Sequence, residues 1–143
     1  MFSKACEYAI RATLYLATKA EQSQRAGLKD IAERIDSPEA FTAKILQQLV
    51  KSGIVTSIKG PAGGFAIEPE RVQTITLQHI VKAIDGDSIY VGCGLGLKAC
   101  SEKNPCPLHN QFKAIRDGLR EMLETTTLYD LSNGLKTGIT FLK

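Results

Sequence analysis

Residues 93–109 read CGLGLKACSEKNPCPLH, three cysteines and a histidine spaced C-x6-C-x5-C-x2-H. Outside this stretch only Cys6 and His79 belong to either type. Thiolate and imidazole are the ligands of zinc, copper and iron–sulfur clusters. The glycines and prolines between them let the backbone turn around a bound group. Cys93, Cys100 and Cys106 are therefore the candidate metal ligands. Three thiolates leave one position open, because most iron–sulfur clusters need four ligands. His109 follows Cys106 by about one helical turn and so can face the same site. A tetrahedral Cys3His zinc site fits equally well by ligand type. A cysteine redox switch without metal is a third reading. Cys6, on a helix face, reads as a small buried hydrophobe and a weaker ligand. His79 reads as structural.

The chain around this loop is of ordinary globular composition. Its 143 residues are 43% hydrophobic and 23% charged, which suits one domain or one domain with an appendage. No apolar run approaches the length of a bilayer span, and the N-terminal stretch carries Glu7 and Arg11 where a signal peptide needs a clean apolar region. The expectation is a cytoplasmic protein that does not enter a membrane. In a reducing compartment, clustered cysteines serve metals or redox chemistry more often than structural disulfides. The net charge of +3 is unevenly placed: residues 1–60 hold nine Lys/Arg and six Asp/Glu, residues 61–143 nine of each. The N-terminal half is thus where an anionic partner would bind. No Ser/His/Asp group, Walker motif or dinucleotide fingerprint supports catalysis. The expectation is a binding protein and not an enzyme.

The elements that must position the loop follow from periodicity. Residues 3–20 predict a helix with Ser3 as N-cap and Ala5, Tyr8, Ala9, Ala12, Tyr15 and Leu16 at three- and four-residue steps. Leu28, Ile31, Ala32 and Ile35 predict a short amphipathic helix. Ser37 as N-cap and Pro38 at the first helical position open the next, which carries Phe41, Ile45, Leu46 and Leu49 and ends at Gly53. Two short helices joined by a tight turn are the minimum for a helix-turn-helix. Ile54–Ile58, the turn KGPAGG (59–64) and Phe65–Ile67 then read as a β-ribbon, the wing of a winged helix. Thr76 caps a further helix. After Pro107 a long helix runs to about Thr125, with Leu108, Phe112, Ile115, Leu119 and Met122 spaced 4, 3, 4, 3 as a coiled-coil-like seam, a candidate dimer interface. A last short helix covers 127–135.

The predicted fold is mainly α with a small β-wing: a winged helix-turn-helix domain over 1–91, a cysteine loop over 92–106, and a dimerisation helix and tail over 107–143. On the second helix of the helix-turn-helix, the face opposite Phe41, Ile45 and Leu49 carries Ala40, Ala43, Lys44, Gln47 and Lys51. Early residues of such a helix reach base edges and later ones reach phosphates. Lys44 suits guanine O6/N7, and the methyls of Ala40 and Ala43 suit thymine. Gln47 and Lys51 suit the backbone. Lys59 opens the wing tip, where Gly60 and Gly63 allow close approach to a phosphate or the minor groove.

This order of parts resembles, over nearly the full length, the family of small winged-helix repressors that includes IscR, NsrR and CymR. The likeness rests on EYAIRATLYLA (7–17), PEAFTAKILQQLVKSGIV (38–55), the wing KGPAGGF (59–65), and the cysteine loop followed by a long helix ending near TLYDL (127–131). The resemblance implies a homodimer with crossing C-terminal helices, bound to a double-stranded DNA operator. It also implies an iron–sulfur cluster on Cys93, Cys100 and Cys106, [2Fe–2S] favoured over [4Fe–4S], whose state sets DNA affinity. The C-x6 spacing here stands against C-x5 in IscR. For the fourth ligand the IscR branch uses a histidine at the place of His109, while NsrR-like members use a carboxylate from the partner chain, here Glu7. The reading is a homodimeric transcription regulator sensing iron–sulfur status, nitric oxide or redox poise. Its alternative is a small cysteine-ligated zinc or iron–sulfur electron carrier without specific DNA binding.

Overall fold

The computed structural model describes residues 1–99 and 101–142. Its elements, in chain order, are α1 (Lys4–Ala20), α2 (Leu28–Arg34), α3 (Glu39–Lys51), β1 (Thr56–Ile58), β2 (Gly64–Ala66), α4 (Leu77–Asp85), α5 (Ser88–Val91), α6 (His109–Thr125) and α7 (Leu128–Lys136). A 3-10 turn at Pro69–Arg71 separates β2 from α4.

Helix α1 is the pillar of the core. Ser3 caps it, its hydroxyl accepting from the Cys6 amide at 3.0 Å. Ser3 also ties α1 to the end of α4: its amide donates to the Asp85 carboxylate at 3.1 Å and its hydroxyl donates to the other oxygen. Ala9, Ala12, Ala17 and Ala20 are buried, and such small side chains let α3, α4 and α7 pack close around the helix. Cys6 is fully buried among them, as a small hydrophobe would be.

The helix-turn-helix forms as the pattern predicts, with one shift. The cap of α3 is Pro38, not Ser37. Buried Thr42 explains this, since its hydroxyl lies 2.8 Å from Ser37 Oγ and 2.9 Å from the Pro38 carbonyl. The Ser37 side chain therefore meets a side chain in place of a helix-end amide. Ile45, Leu46 and Leu49 bury the inner face of α3, and Phe41 packs edge-on against Tyr8 at 5.7 Å. Each large aliphatic side chain buried this way is worth about 1.5–3 kcal/mol relative to exposure.

The wing is shorter than the sequence suggests. Ile54 and Val55 are buried in the core ahead of β1, and β2 begins at Gly64 instead of Phe65. β1 and β2 pair antiparallel with Thr56 opposite Ala66 and Ile58 opposite Gly64. Ala26 adds an isolated bridge to β2: it exchanges both backbone hydrogen bonds with Phe65, at 3.0 and 2.8 Å. Arg71 donates to the Gly53 carbonyl and fastens the entry to the wing.

Two features of the C-terminal half differ from expectation. A short helix, α5, precedes the cysteine loop; four residues are too few to show a period in sequence. His79 is structural as expected, its Nδ1 accepting from the Thr76 amide at 3.0 Å. The seam of α6 is split. Phe112 and Leu119 are half-buried and lie with buried His109 and Leu123 on the face toward the domain. Leu108, Ile115 and Met122 face outward, Ile115 with 63% of its surface exposed. The reason is the direction of packing: at 100° per residue Phe112 and Leu119 lie on the flank next to His109, Arg116 and Leu123, which face the domain, and Leu108, Ile115 and Met122 lie on the far flank. α7 returns to α1, held by the Leu77 amide on the Thr126 carbonyl at 3.0 Å and the Leu128 amide on the Ile75 carbonyl at 2.9 Å.

Candidate functional site

Two surfaces gather the candidate residues. The first is the outer face of α3 with the wing. Ala40, Lys44, Gln47 and Lys51 are exposed and Ala43 is half-buried, so the structure brings all five to the outward side of one helix. Lys59 and Gly60 are exposed at the wing tip. Residues 40–67 contain Lys44, Lys51 and Lys59 and no Asp or Glu. None of these three lysines is ion-paired among the described residues. A cationic face with no internal counter-charge is what phosphate neutralisation requires. Gly63 has a structural duty: a Cβ there would lie 2.1 Å from the Ile58 carbonyl oxygen. Gly64, at φ +131°, would place a Cβ 2.7 Å from the Ala26 carbonyl oxygen. Gly63 lets the two arms of the hairpin close on each other, and Gly64 lets the hairpin close on Ala26.

The second surface is the cysteine loop. Cys93 and Cys106 are half-buried free thiols that line one cavity, although they lie 13 positions apart in the chain. The Leu95 amide, 3.4 Å from Cys93 Sγ, and then the Leu97 amide hold the Cys93 thiol below its ordinary value; Cys106 and the charge of Arg116 act in the same direction. Amides and a cation aimed at a sulfur stabilise its thiolate form. A cavity of about 220 Å³ opens between Cys93, Leu97, Asn104, Cys106 and His109. His109 is 7% exposed, begins α6, and donates its amide to the Cys106 carbonyl at 3.0 Å. Cys100 lies outside the described residues. Among the described residues no three His, Cys, Asp or Glu side chains converge at metal-binding spacing. Glu7 does not line this cavity; within the chain it pairs with Lys4 at 3.2 Å and Arg11 at 3.7 Å.

What docks the loop is a set of contacts that cysteine spacing does not report. Arg116 donates to the Val91 and Gly92 carbonyls at 3.1 and 2.7 Å, closing the C-terminal end of α5 immediately before Cys93. Arg120 donates to the Tyr90 carbonyl at 3.3 Å and lies over the Tyr90 ring at 5.4 Å. Lys113 pairs with Glu102 of the loop at 2.8 Å. Gly94 sits so close to α6 that a Cβ would be 2.4 Å from the Phe112 ring. The signal for Arg116 and Arg120 was present in sequence as a basic i, i+4 step continuing the inward face of α6 from His109.

A family model described as "Rrf2: Iron-dependent Transcriptional regulator" matches residues 2–134. A helix-turn-helix (HTH) type transcriptional regulator of Aquifex aeolicus is 33% identical over 137 residues, covering 93% of this chain and 92% of that protein. The HTH-type transcriptional regulator IscR of Cronobacter sakazakii is 29% identical over 126 residues, covering 88% and 76%. Among solved structures, the global cysteine regulator CymR of B. subtilis superposes with a TM-score of 0.75 at 25% identity, covering 93% of this chain and 96% of that one. No helix of the described residues is long and apolar enough to cross a membrane. These relatives are regulators of transcription and not enzymes. The chain belongs to the Rrf2 family: it is a winged helix-turn-helix, DNA-binding transcriptional regulator.

Proposed function

We propose that this protein is a homodimeric regulator whose operator affinity is set by an iron–sulfur cluster held on Cys93, Cys100 and Cys106. The observation that carries the reading is that Cys93 and Cys106 line one cavity beside the first turn of α6, with backbone amides turned to the Cys93 sulfur. The donor set fits the group: soft thiolates, amide donors to sulfur and a neighbouring guanidinium are the levers that hold and tune such clusters. The family description, iron-dependent, is consistent with it. His109 is the proposed fourth ligand, since it lines the same cavity. Glu7 would have to come from the partner protomer. [2Fe–2S] remains the favoured cluster type. When bound, the cluster supplies a redox- and nitric-oxide-sensitive metal centre whose loss frees the thiolates.

The chain's own residues supply the linkage. The loop is fastened to α6 through Arg116, Arg120 and Lys113. The outward stripe of Leu108, Ile115 and Met122 on the same helix is the proposed seam with a second copy. A change in ligation would shift α6 against its partner and so the spacing of two α3 helices. Dimers of this class read half-sites about one helical turn, roughly 34 Å, apart, so a small rotation costs contacts on both halves. Ala40, Ala43 and Lys44 would read bases, and Gln47, Lys51, Lys59, Gly60 and Gly63 would meet the backbone. The expected compartment is the cytoplasm.

A second reading has an observation of its own. Two thiols that line one cavity can lose two electrons and two protons to an oxidant such as a peroxide and close a disulfide, with no metal involved. Anaerobic purification separates the two. A brown protein with visible charge-transfer bands, whose DNA affinity changes on cluster removal, supports the cluster. A colourless protein whose affinity responds to peroxide and is restored by dithiothreitol supports the thiol switch. A zinc-containing colourless protein indifferent to both sinks both.

A further inference from the structure

A cavity of about 490 Å³, larger than the one beside the cysteines, shares no residue with the cysteine loop or with the outward face of α3. Tyr15 and Lys19 of α1 and Arg34 at the end of α2 form one side; Leu135 and Lys136 of α7 and Phe141 beyond it form the other. The second side exists because the chain folds back after α7. Gly138 turns it at φ +75°, and the Ile139 and Thr140 amides both donate to the Gly134 carbonyl, at 3.0 and 3.1 Å. Gly134 permits this close return, since a Cβ there would lie 2.7 Å from Thr140 Oγ1.

The two sides differ in chemistry. On the first, the Tyr15 ring is flanked by Lys19 Nζ at 5.3 Å and the Arg34 guanidinium at 5.7 Å. The Tyr15 hydroxyl donates to Asp30 at 2.6 Å, and Arg34 reaches the same carboxylate at 4.0 Å. Lys136 pairs with Glu21 at 2.8 Å and keeps only 25% of its side chain exposed. Lys19 alone of the three cations has no carboxylate partner among the described residues. On the second side Phe141 is 75% exposed, directly after Thr140, whose amide is tied to the Gly134 carbonyl.

From this pairing of an unmatched cation with an uncovered aromatic wall, we infer that the cavity binds a small organic carboxylate with an apolar body. The carboxylate takes its place between Lys19 and Lys136, and the body covers Leu135 and Phe141. A volume in the range of about 300–1,000 Å³ is that of small-molecule sites. An inorganic anion would leave the apolar wall uncovered, and a neutral apolar ligand would leave Lys19 unmatched. The inference stands independently of the cluster and of the operator, and its test uses no DNA.

Octanoate is a suitable probe, with octanol and acetate as controls lacking one half of the chemistry each. Titrated into the full-length 15N-labelled protein, octanoate is expected to give saturable amide shifts confined to residues 15–24, 34 and 135–142. Octanol and acetate are each expected to bind about tenfold or more weakly, the worth of one charge-assisted contact or of the apolar body. Lys19→Met keeps the apolar stem and is expected to weaken octanoate about tenfold while leaving the rest of the spectrum unchanged. The inference is overturned if octanoate gives no saturable shifts up to about 10 mM, the weak end of specific binding. It is equally overturned if octanol binds as tightly, or if Lys19→Met retains wild-type affinity.

Discussion

Gly63→Ala tests whether the wing is read as part of the DNA surface. The added Cβ would sit 2.1 Å from the Ile58 carbonyl oxygen and 2.9 Å from the Ile58 and Lys59 carbonyl carbons. All three are backbone atoms, so no side chain can rotate away. Reaching ordinary contact requires the two arms to part by more than about 1 Å, against a turn closed by the Gly63 amide on the Gly60 carbonyl at 2.9 Å. Overpacking of this kind costs about 1–3 kcal/mol. The wing tip is exposed, so most of that cost can be relieved by opening the hairpin without disturbing Ile54, Val55 and Ile67 in the core. A binding surface that must be re-formed on DNA loses the same free energy from affinity, a weakening of about five- to hundredfold. The assay is fluorescence anisotropy on an operator selected from a random library by the wild-type protein, at fixed salt, beside a thermal melt. The melting point is expected to fall by only a few degrees. If the variant binds within twofold of wild type while keeping its circular dichroism spectrum, the wing does not contact DNA in the way described.

Three further outcomes follow from the same structure. Lys44→Ala should alter the selected sequence, whereas Lys59→Ala should weaken binding to all sequences and reduce the slope of log affinity against log salt by about 0.9, one phosphate contact; unchanged selection and slope would count against the assigned roles. Burial pushes the Cys6 thiol from its ordinary 9.0 up to about 12, with Asp85 adding to the effect. Because the folded value is raised, the unfolded chain ionises first, so stability is full below about pH 9 and declines between 9 and 12 in denaturant titrations, a decline that Cys6→Ala should reduce. Ile115→Glu on the outward stripe of α6 should shift sedimentation toward monomer and lower operator affinity with little change in the monomer's own fold. A variant that remains dimeric would move the subunit seam elsewhere.

Much of the fold was legible because its signals are local. Ser3 capping α1, Gly53 at φ +74° closing α3, and the KGPAGG turn each act within a few residues of themselves. The outward face of α3 followed from 100° steps alone, and every residue assigned to it is exposed or half-exposed. Errors arose where a residue had a partner far along the chain or a competing neighbour. Ser37 met Thr42, and the α6 seam parted because one side of that helix already packs on the domain. The candidate site was legible in its ligand types but not in its supports. Arg116 and Arg120 act on carbonyls 24 to 30 residues away.

The sequence by itself determined the donor chemistry of residues 93–109, the order of helices and wing, and the acid-free stretch from 40 to 67. These depend on residue type and on periodicity within one element. Tertiary structure decided that Cys93 and Cys106 line one cavity, that α5 docks the loop onto α6, that Leu108, Ile115 and Met122 of the predicted seam remain outward, and that the returning chain after Gly138 walls a cavity. Those outcomes depend on which surfaces close on one another. That choice is made by packing between elements distant in sequence, where no periodic signal reaches.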